Sequence, residues 1–341
     1  MTTKLSLDEL LDRAHGGWIT ELGAMPTLAL PSVDNDCGCD DPDYESGDCE
    51  CHNCGECICD SNRLLWNYSY KPFGSHYVDF VDDAFVLLPV AEVRNQMLFG
   101  LELEVESRHS SDAWDNETEI RRFLRFLNIA FGSTKSNDQA VWIGKEDGTV
   151  DVEFVSAPFT YNAWIQAQEV LEPAMLYAQE HFRAFYASSA GAHIHVAKST
   201  LSLTTMYAWI QFHYDNPGLI ADIAQRGIGA DAEWCYLQKP DISVARIAKQ
   251  KYGFPGRGAL ADTAATIEHR YFRSNLKLER LNKNMEFLES MFQYFSNLTY
   301  QDMARDGAHK LHAYLGFVAL NQATYPNLYS YLQTKGYISC V

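Results

Sequence analysis

The sequence predicts an α+β protein: β-strands whose apolar sides are covered by helices, and a small cysteine-rich segment ahead of them. Three observations predict this. Segments at 98–106, 149–156, 191–196 and 266–273 alternate polar and apolar residues with a period of two. Apolar residues recur at helical spacing over 118–131, 162–187, 201–214, 278–297 and 301–315. Seven of the nine cysteines fall between Cys37 and Cys59.

Composition bounds the function. A chain of 341 residues, 47% hydrophobic and 21% charged, has ample material for a packed core. Its 45 acidic against 27 basic residues give a formal charge of −18, which disfavours a nucleic-acid or anionic-membrane binder. No apolar run approaches the roughly 20 residues of a membrane span. The opening MTTKLSLDELLDRAHGG lacks the basic-then-apolar pattern of a signal peptide. The expectation is a cytoplasmic protein whose partners are neither nucleic acid nor membrane.

Taken in order, residues 1–33 form a head in which SLDELLDRAHGGWITEL predicts one short helix, with Ser6 placed to cap it. Residues 34–60 carry ten Asp or Glu, no Lys or Arg, and almost no apolar side chains, so they cannot build a core of their own. Reduced thiols at CxC and CxxC spacing point to metal. Cys37, Cys39, Cys49, Cys51, His52, Cys54, Cys57 and Cys59 are eight soft donors, the number two tetrahedral Zn²⁺ sites would use. One site with spare cysteines, or an Fe–S cluster, is the alternative. Structural zinc would supply the folding free energy that the segment lacks.

From residue 64 to 341 the composition is ordinary and reads as one domain. LLWNYSYKPF and DAFVLLPV predict short strands. In LFGLELEVE, Glu102, Glu104 and Glu106 share one face, with Leu101, Leu103 and Val105 on the other. In TVDVEFVS, Asp151 and Glu153 share a face. In GAHIHV, His193 and His195 do so, and in TIEHRYFR, Glu268 and Arg270. One such strand is what any half-exposed sheet shows. Four strands whose polar positions are nearly all Glu, Asp, His and Arg are different, because adjacent like charges repel unless cations neutralise them. Carboxylates with an occasional imidazole suit Mg²⁺ or Mn²⁺, and a nearby arginine suits phosphate or a substrate carboxylate.

FGLELE, DGTVDVEFVSAP, GAHIHV and TIEHRYFR, in this order, resemble the motifs of the amidoligase family of carboxylate–amine ligases. That family shares the glutamine synthetase superfold with glutamate–cysteine ligases. The likeness spans roughly residues 96–290. It implies a curved antiparallel sheet of glutamine synthetase-like type, whose concave face holds ATP, Mg²⁺ and an acid substrate. It also implies amide or isopeptide formation through an acyl phosphate, with an amino acid, peptide or protein supplying carboxylate and amine. Carried over residue by residue, Glu102, Glu104, Glu153, His193 and Glu268 would ligate metal. Arg270 would stabilise the transferring phosphoryl group, with Arg273 a further candidate, and His195 is the second member of the histidine pair. Ala192 stands where the family commonly has a larger residue.

The stretch 239–258 reverses the local sign of charge with Lys239, Arg246, Lys249, Lys251 and Arg257 against Asp241 alone. Lys249, Lys251 and Arg257 are its candidates for contacting ATP phosphates; a solvated basic helix face is the alternative. Cys235, beside aromatics, reads as a buried structural thiol. The competing reading of the whole is a catalytically inactive copy of the superfold, acting as a zinc-containing binding or structural protein. The sequence leaves the oligomeric state open.

Overall fold

The computed structural model describes residues 65–66, 75–93, 95–108, 117–132, 140–145, 149–187, 189–229, 232, 235–239, 241, 243–249, 254, 258–299, 301–302 and 310–339. The predicted head helix, the cysteine-rich segment with its zinc donors, Lys251 and Arg257 lie outside the described residues. The elements in chain order are β1 (Leu65–Trp66), β2 (His76–Val81), β3 (Ala84–Pro89), β4 (Leu98–Ser107), α1 (Glu117–Ala130), β5 (Trp142–Lys145), β6 (Val152–Ser156), β7 (Phe159–Thr160), α2 (Tyr161–Gln166), α3 (Gln168–His181), β8 (Phe182–Arg183), β9 (Gly191–Ala197), α4 (Leu203–Asp215), α5 (Pro217–Ala224), α6 (Val244–Ala248), β10 (Leu260–Asp262), β11 (Thr266–Arg273), α7 (Leu278–Ser296), α8 (Leu311–Leu320) and α9 (Pro326–Thr334). The fold is α+β.

Strand β4 is the hub of the sheet. It pairs with β6 over Glu102–Val105, with β7 at Leu98–Phe99, with β9 over Phe99–Leu103 and with β8 at its end. Outward from β4 the order runs β6, β5, β1 on one side and β9, β11, β10 on the other, with β7, β2 and β3 joined at its start. The expected wholly antiparallel, curved sheet is corrected: the sheet is open and mixed, because β1 runs parallel to β5 and β2 parallel to β7. The local cause lies after β6. The chain runs on along β4 through Ala157 and Pro158, and Val78 N–H donates to the Pro158 carbonyl at 2.8 Å, which starts the parallel contact. Alternation carries no strand direction, so this pairing was invisible to it.

Most predicted elements fall near their expected places. The 162–187 pattern splits at Ala167 into α2 and α3, and its last residues become β8. The 149–156 strand begins only at Val152, because Asp151 turns aside to accept the Ser107 N–H at 2.6 Å. Of the 301–315 pattern, residues 301–302 are helical, 303–309 lie outside the described residues, and its end falls in α8 at Leu311–Leu320. Helices α5 and α9 were not predicted, although each opens with proline, whose fixed φ suits the first helical turn. The β2–β3 hairpin turns on Asp82 and Asp83, both at positive φ (51° and 62°), the backbone of a tight two-residue turn. No helix among the described residues is long and apolar enough to cross a membrane.

The apolar sides of the strands are covered by helices. Leu101, Leu103, Val105, Phe154, Ile194, Val196 and Ile267 join one core with Phe123 and Leu127 of α1, Met175 of α3, Trp209 and Phe212 of α4, and Met285 and Leu288 of α7. The imidazoles inside this layer are hydrogen-bonded. Trp209 Nε1–H donates to His269 Nε2 at 2.9 Å, and His269 Nδ1–H donates to the Ile194 carbonyl at 3.1 Å. His213 Nδ1–H donates to the Trp209 carbonyl at 2.8 Å and its Nε2 accepts from the Tyr271 hydroxyl at 2.9 Å. Burial lowers both imidazoles, His213 to about 4 and His269 well below its ordinary value, so both serve as neutral spacers.

Helix α7 buries Lys283, Glu286 and Glu289. Glu286 accepts from Asn327 Nδ2 and Leu328 N–H, both at 2.6 Å. Glu289 accepts from Gln293 at 2.7 Å through Oε1, while its buried Oε2 and the nearby buried Tyr161 hydroxyl have no hydrogen-bond partner among the described residues. Burial raises the Glu289 carboxyl from 4.5 to about 7. A raised acid stabilises the folded state fully below the unfolded value of 4.5, and that contribution is lost as pH rises through about 7. Glu289→Gln removes this dependence. It should melt roughly 5 °C above the parent protein at pH 8 and within about 1 °C of it at pH 4.5. Calorimetric melts at the two pH values check this; an equal shift at both would refute the assignment.

Candidate functional site

The face of the sheet opposite the core carries the charged residues. Strand pairing alone lines them up. Lys145 on β5 stands opposite Glu153 on β6, and Glu153 opposite Glu104 on β4. Glu102 on β4 stands opposite His193 on β9, and His195 opposite Glu268 on β11. Glu102, Glu104, Glu153, His193 and Glu268 are all buried, with exposures of 4% to 8%. Predicted polar positions on a half-exposed sheet have thus become buried ones.

The contacts are dense. His193 Nδ1 lies 3.2 Å from Glu102 Oε2 and 3.3 Å from Glu268 Oε1, and its Nε2 lies 3.6 Å from Glu104 Oε1. His195 Nε2 lies 3.0 Å from Glu102 Oε1, and its Nδ1 lies 2.9 Å from Thr266 Oγ1. Arg270 Nη1 donates to Glu268 Oε1 at 2.8 Å. Lys145 Nζ donates to Glu153 Oε2 at 3.2 Å. The Gly191 N–H donates to Glu104 Oε2, and the Ser274 hydroxyl holds the Glu104 carbonyl at 2.5 Å. Burial lowers the His193 pKa and outweighs the raising effect of Glu104 and Glu268, so its ring is held neutral, the state that has a lone pair to offer.

A bulge in β11 re-aims one of these groups. The register with β9 shifts between His269 and Phe272, so Arg270 and Tyr271 together oppose a single residue of β9. Tyr271 enters the core, while Arg270 stays on the Glu268 side.

Glu102, His193 and Glu268 each offer a donor atom, and these atoms lie within 4.8 Å of one another. Two carboxylates and a neutral imidazole match a hard-to-borderline divalent cation such as Mg²⁺ or Mn²⁺. The residues present therefore fit the metal that the sequence analysis anticipated. Glu104 and Glu153 stand beside this set. Glu106 and Asp151, which share strand faces with these acids in the sequence pattern, lie at its margin. Glu106 receives the Ser189 hydroxyl at 3.4 Å, and Asp151 is spent on the Ser107 N–H.

The other candidates divide. Arg273 stands opposite Gly191, with its guanidinium 4.3 Å from the centre of the Phe185 ring. Lys249 is exposed just beyond α6. Lys239, in the same basic stretch, reaches Asp215 at 3.4 Å. Cys235 is buried with its thiol donating to the Gly227 carbonyl at 3.3 Å, as a structural thiol should. Sequence reasoning missed Lys145 and Arg226. Lys145 is visible only through cross-strand register. Arg226 sits in a loop after α5, and its Nη1 lies 2.9 Å from where a Cβ on Gly191 would stand.

No protein-family model matches the chain, and no curated protein matches it significantly.

The Lys145–Glu153 pair is buried at both ends. Lys145→Met in chelator-treated protein should therefore cost on the order of 3 kcal/mol, because it takes the cation from a buried carboxylate. The double variant Lys145→Met/Glu153→Leu should recover most of that. Urea denaturation of both measures it, and a cost below about 1 kcal/mol for the single variant would contradict a compensated buried pair.

Proposed function

We propose that this chain is an ATP- and Mg²⁺-dependent carboxylate–amine ligase of glutamine synthetase-like fold, which forms an amide or isopeptide bond through an acyl phosphate. One observation carries the reading. Glu102, His193 and Glu268 bring oxygen and nitrogen donors within 4.8 Å of each other on a sheet face that also presents Glu104, Glu153 and Arg270. The ordered motifs that resemble the amidoligase family meet on this face, and their resemblance supports the ligase chemistry. Mg²⁺ or Mn²⁺ bound there would neutralise triphosphate charge. Arg270, hydrogen-bonded to Glu268, would receive an oxygen of the transferring phosphoryl group. His195, hydrogen-bonded to Thr266 through Nδ1, brings its Nε2 to 3.0 Å from Glu102 Oε1. The substrate carboxylate takes the γ-phosphoryl group and ADP leaves; the amine then attacks the acyl carbon, and phosphate leaves as the amine loses its proton. An amino acid, peptide or protein supplies the carboxylate and the amine, and the reaction is cytoplasmic.

The test is Mg²⁺-dependent ADP formation by purified protein with pools of amino acids and amines. ADP release should require both an acid and an amine, and Glu268→Ala should lower it about 100-fold or more. Folded protein that binds no ATP in a calorimeter would overturn the reading.

Zinc in the 37–59 segment is proposed on donor arithmetic alone, as a structural or protein-docking element. The purified chain should carry about two Zn²⁺ by elemental analysis, falling to none in a variant with all seven cysteines of the segment changed to serine. Metal-free wild-type protein would sink this assignment without touching the ligase reading.

A further inference from the structure

Two guanidinium groups converge on this site, and only one belongs to the motifs. Helix α5 packs against β11 and ends at Gln225, which adopts the left-handed conformation (φ 55°) that non-glycine residues rarely take. The turn sends Arg226 back toward the start of β9. There an added Cβ on Gly191 would stand 2.9 Å from Arg226 Nη1, 2.9 Å from His193 Nε2 and 3.3 Å from Glu104 Oε2. Three groups of different chemistry thus approach one point that only glycine leaves clear. The Arg226 guanidinium makes no hydrogen bond or ion pair among the described residues. On Arg270, Nη1 is spent on Glu268, but Nε is buried without a hydrogen-bond partner among the described residues. A buried N–H of this kind is costly unless a ligand satisfies it. Both guanidinium charges also reach the Cys235 thiol, opposing the rise that burial imposes.

We infer that Arg226 is a phosphoryl-binding residue of this site, acting with Arg270 Nε–H to grip a phosphate group beside the Glu102–His193–Glu268 set. A planar carboxylate is satisfied by one guanidinium fork; donors from two separate arginines suit a tetrahedral group with oxygens pointing in several directions. Glu104, close to the same point, repels an anion, so phosphate binding should need the divalent cation. The inference rests on the phosphoryl-transfer reading, but its test does not require turnover.

The full chain loaded with Mn²⁺ is titrated with inorganic phosphate in a calorimeter, with acetate in parallel, and Mn²⁺ affinity is read separately by electron paramagnetic resonance. Arg226→Gln should weaken phosphate binding about tenfold or more, with Mn²⁺ affinity within twofold of wild type and an unchanged melt; Arg226→Lys should fall between. A loss of less than twofold, a parallel loss of Mn²⁺ affinity, no phosphate binding by wild-type protein, or acetate binding as tight as phosphate would each overturn it. Phosphate binding that depends on Arg226 in a protein that never turns over ATP would leave this assignment standing while the ligase reading falls.

Discussion

Charge compensation on a buried sheet face governs this structure. Glu102, Glu104, Glu153 and Glu268 are drawn out of water, and carboxylates so close to one another are tolerated only with partners at hand. The neighbouring strands supply those partners. β5 brings Lys145 to Glu153, β9 brings His193 and His195 to Glu102, and β11 brings Arg270 to Glu268. The strand order around β4 is thus also an order of opposite charges and neutral donors. The same logic explains why a divalent cation fits: it adds positive charge where three donor atoms already meet.

The two faces of the central strands solve different problems. The core face is apolar and close-packed, and where imidazoles enter it, at His213 and His269, they are hydrogen-bonded and uncharged. The other face concentrates charge. Because successive residues point to opposite sides, each of β4, β9 and β11 serves both faces at once. Helices α4 and α7 stiffen one side so that side chains on the other keep their spacing, and an arrangement of donors within a few ångströms depends on that rigidity.

Much of this was legible. The period-two runs located β4, β9 and β11 almost to the residue, and their polar positions, with that of the β6 run, named Glu102, Glu104, Glu153, His193 and Glu268, which the fold does bring together. What escaped depends on register and direction. Lys145 looks like an ordinary strand lysine until β5 is laid against β6. Arg226 lies in a loop whose path is set by one left-handed residue, Gln225, and no local pattern announces that geometry in a residue other than glycine. The parallel contact of β2 with β7 follows from a proline between two strand fragments, where alternation is silent. Helices α5 and α9 are announced by Pro217 and Pro326 at their first turns rather than by apolar periodicity.

The alternation of β11 has one more consequence. Glu268 faces the charged side and His269, its neighbour, faces Trp209 in the core. A slip of one residue during assembly would exchange them, driving a carboxylate into the apolar layer and pulling a fully bonded imidazole out of it. The neighbouring strand β9 would suffer likewise if Ile194 traded places with His193. Misaligned pairings are therefore penalised at several strands together. The acids and histidines that equip the site also act as proofreaders of the fold, so a variant that replaces them with apolar residues would lose fidelity of strand alignment even where it gained stability.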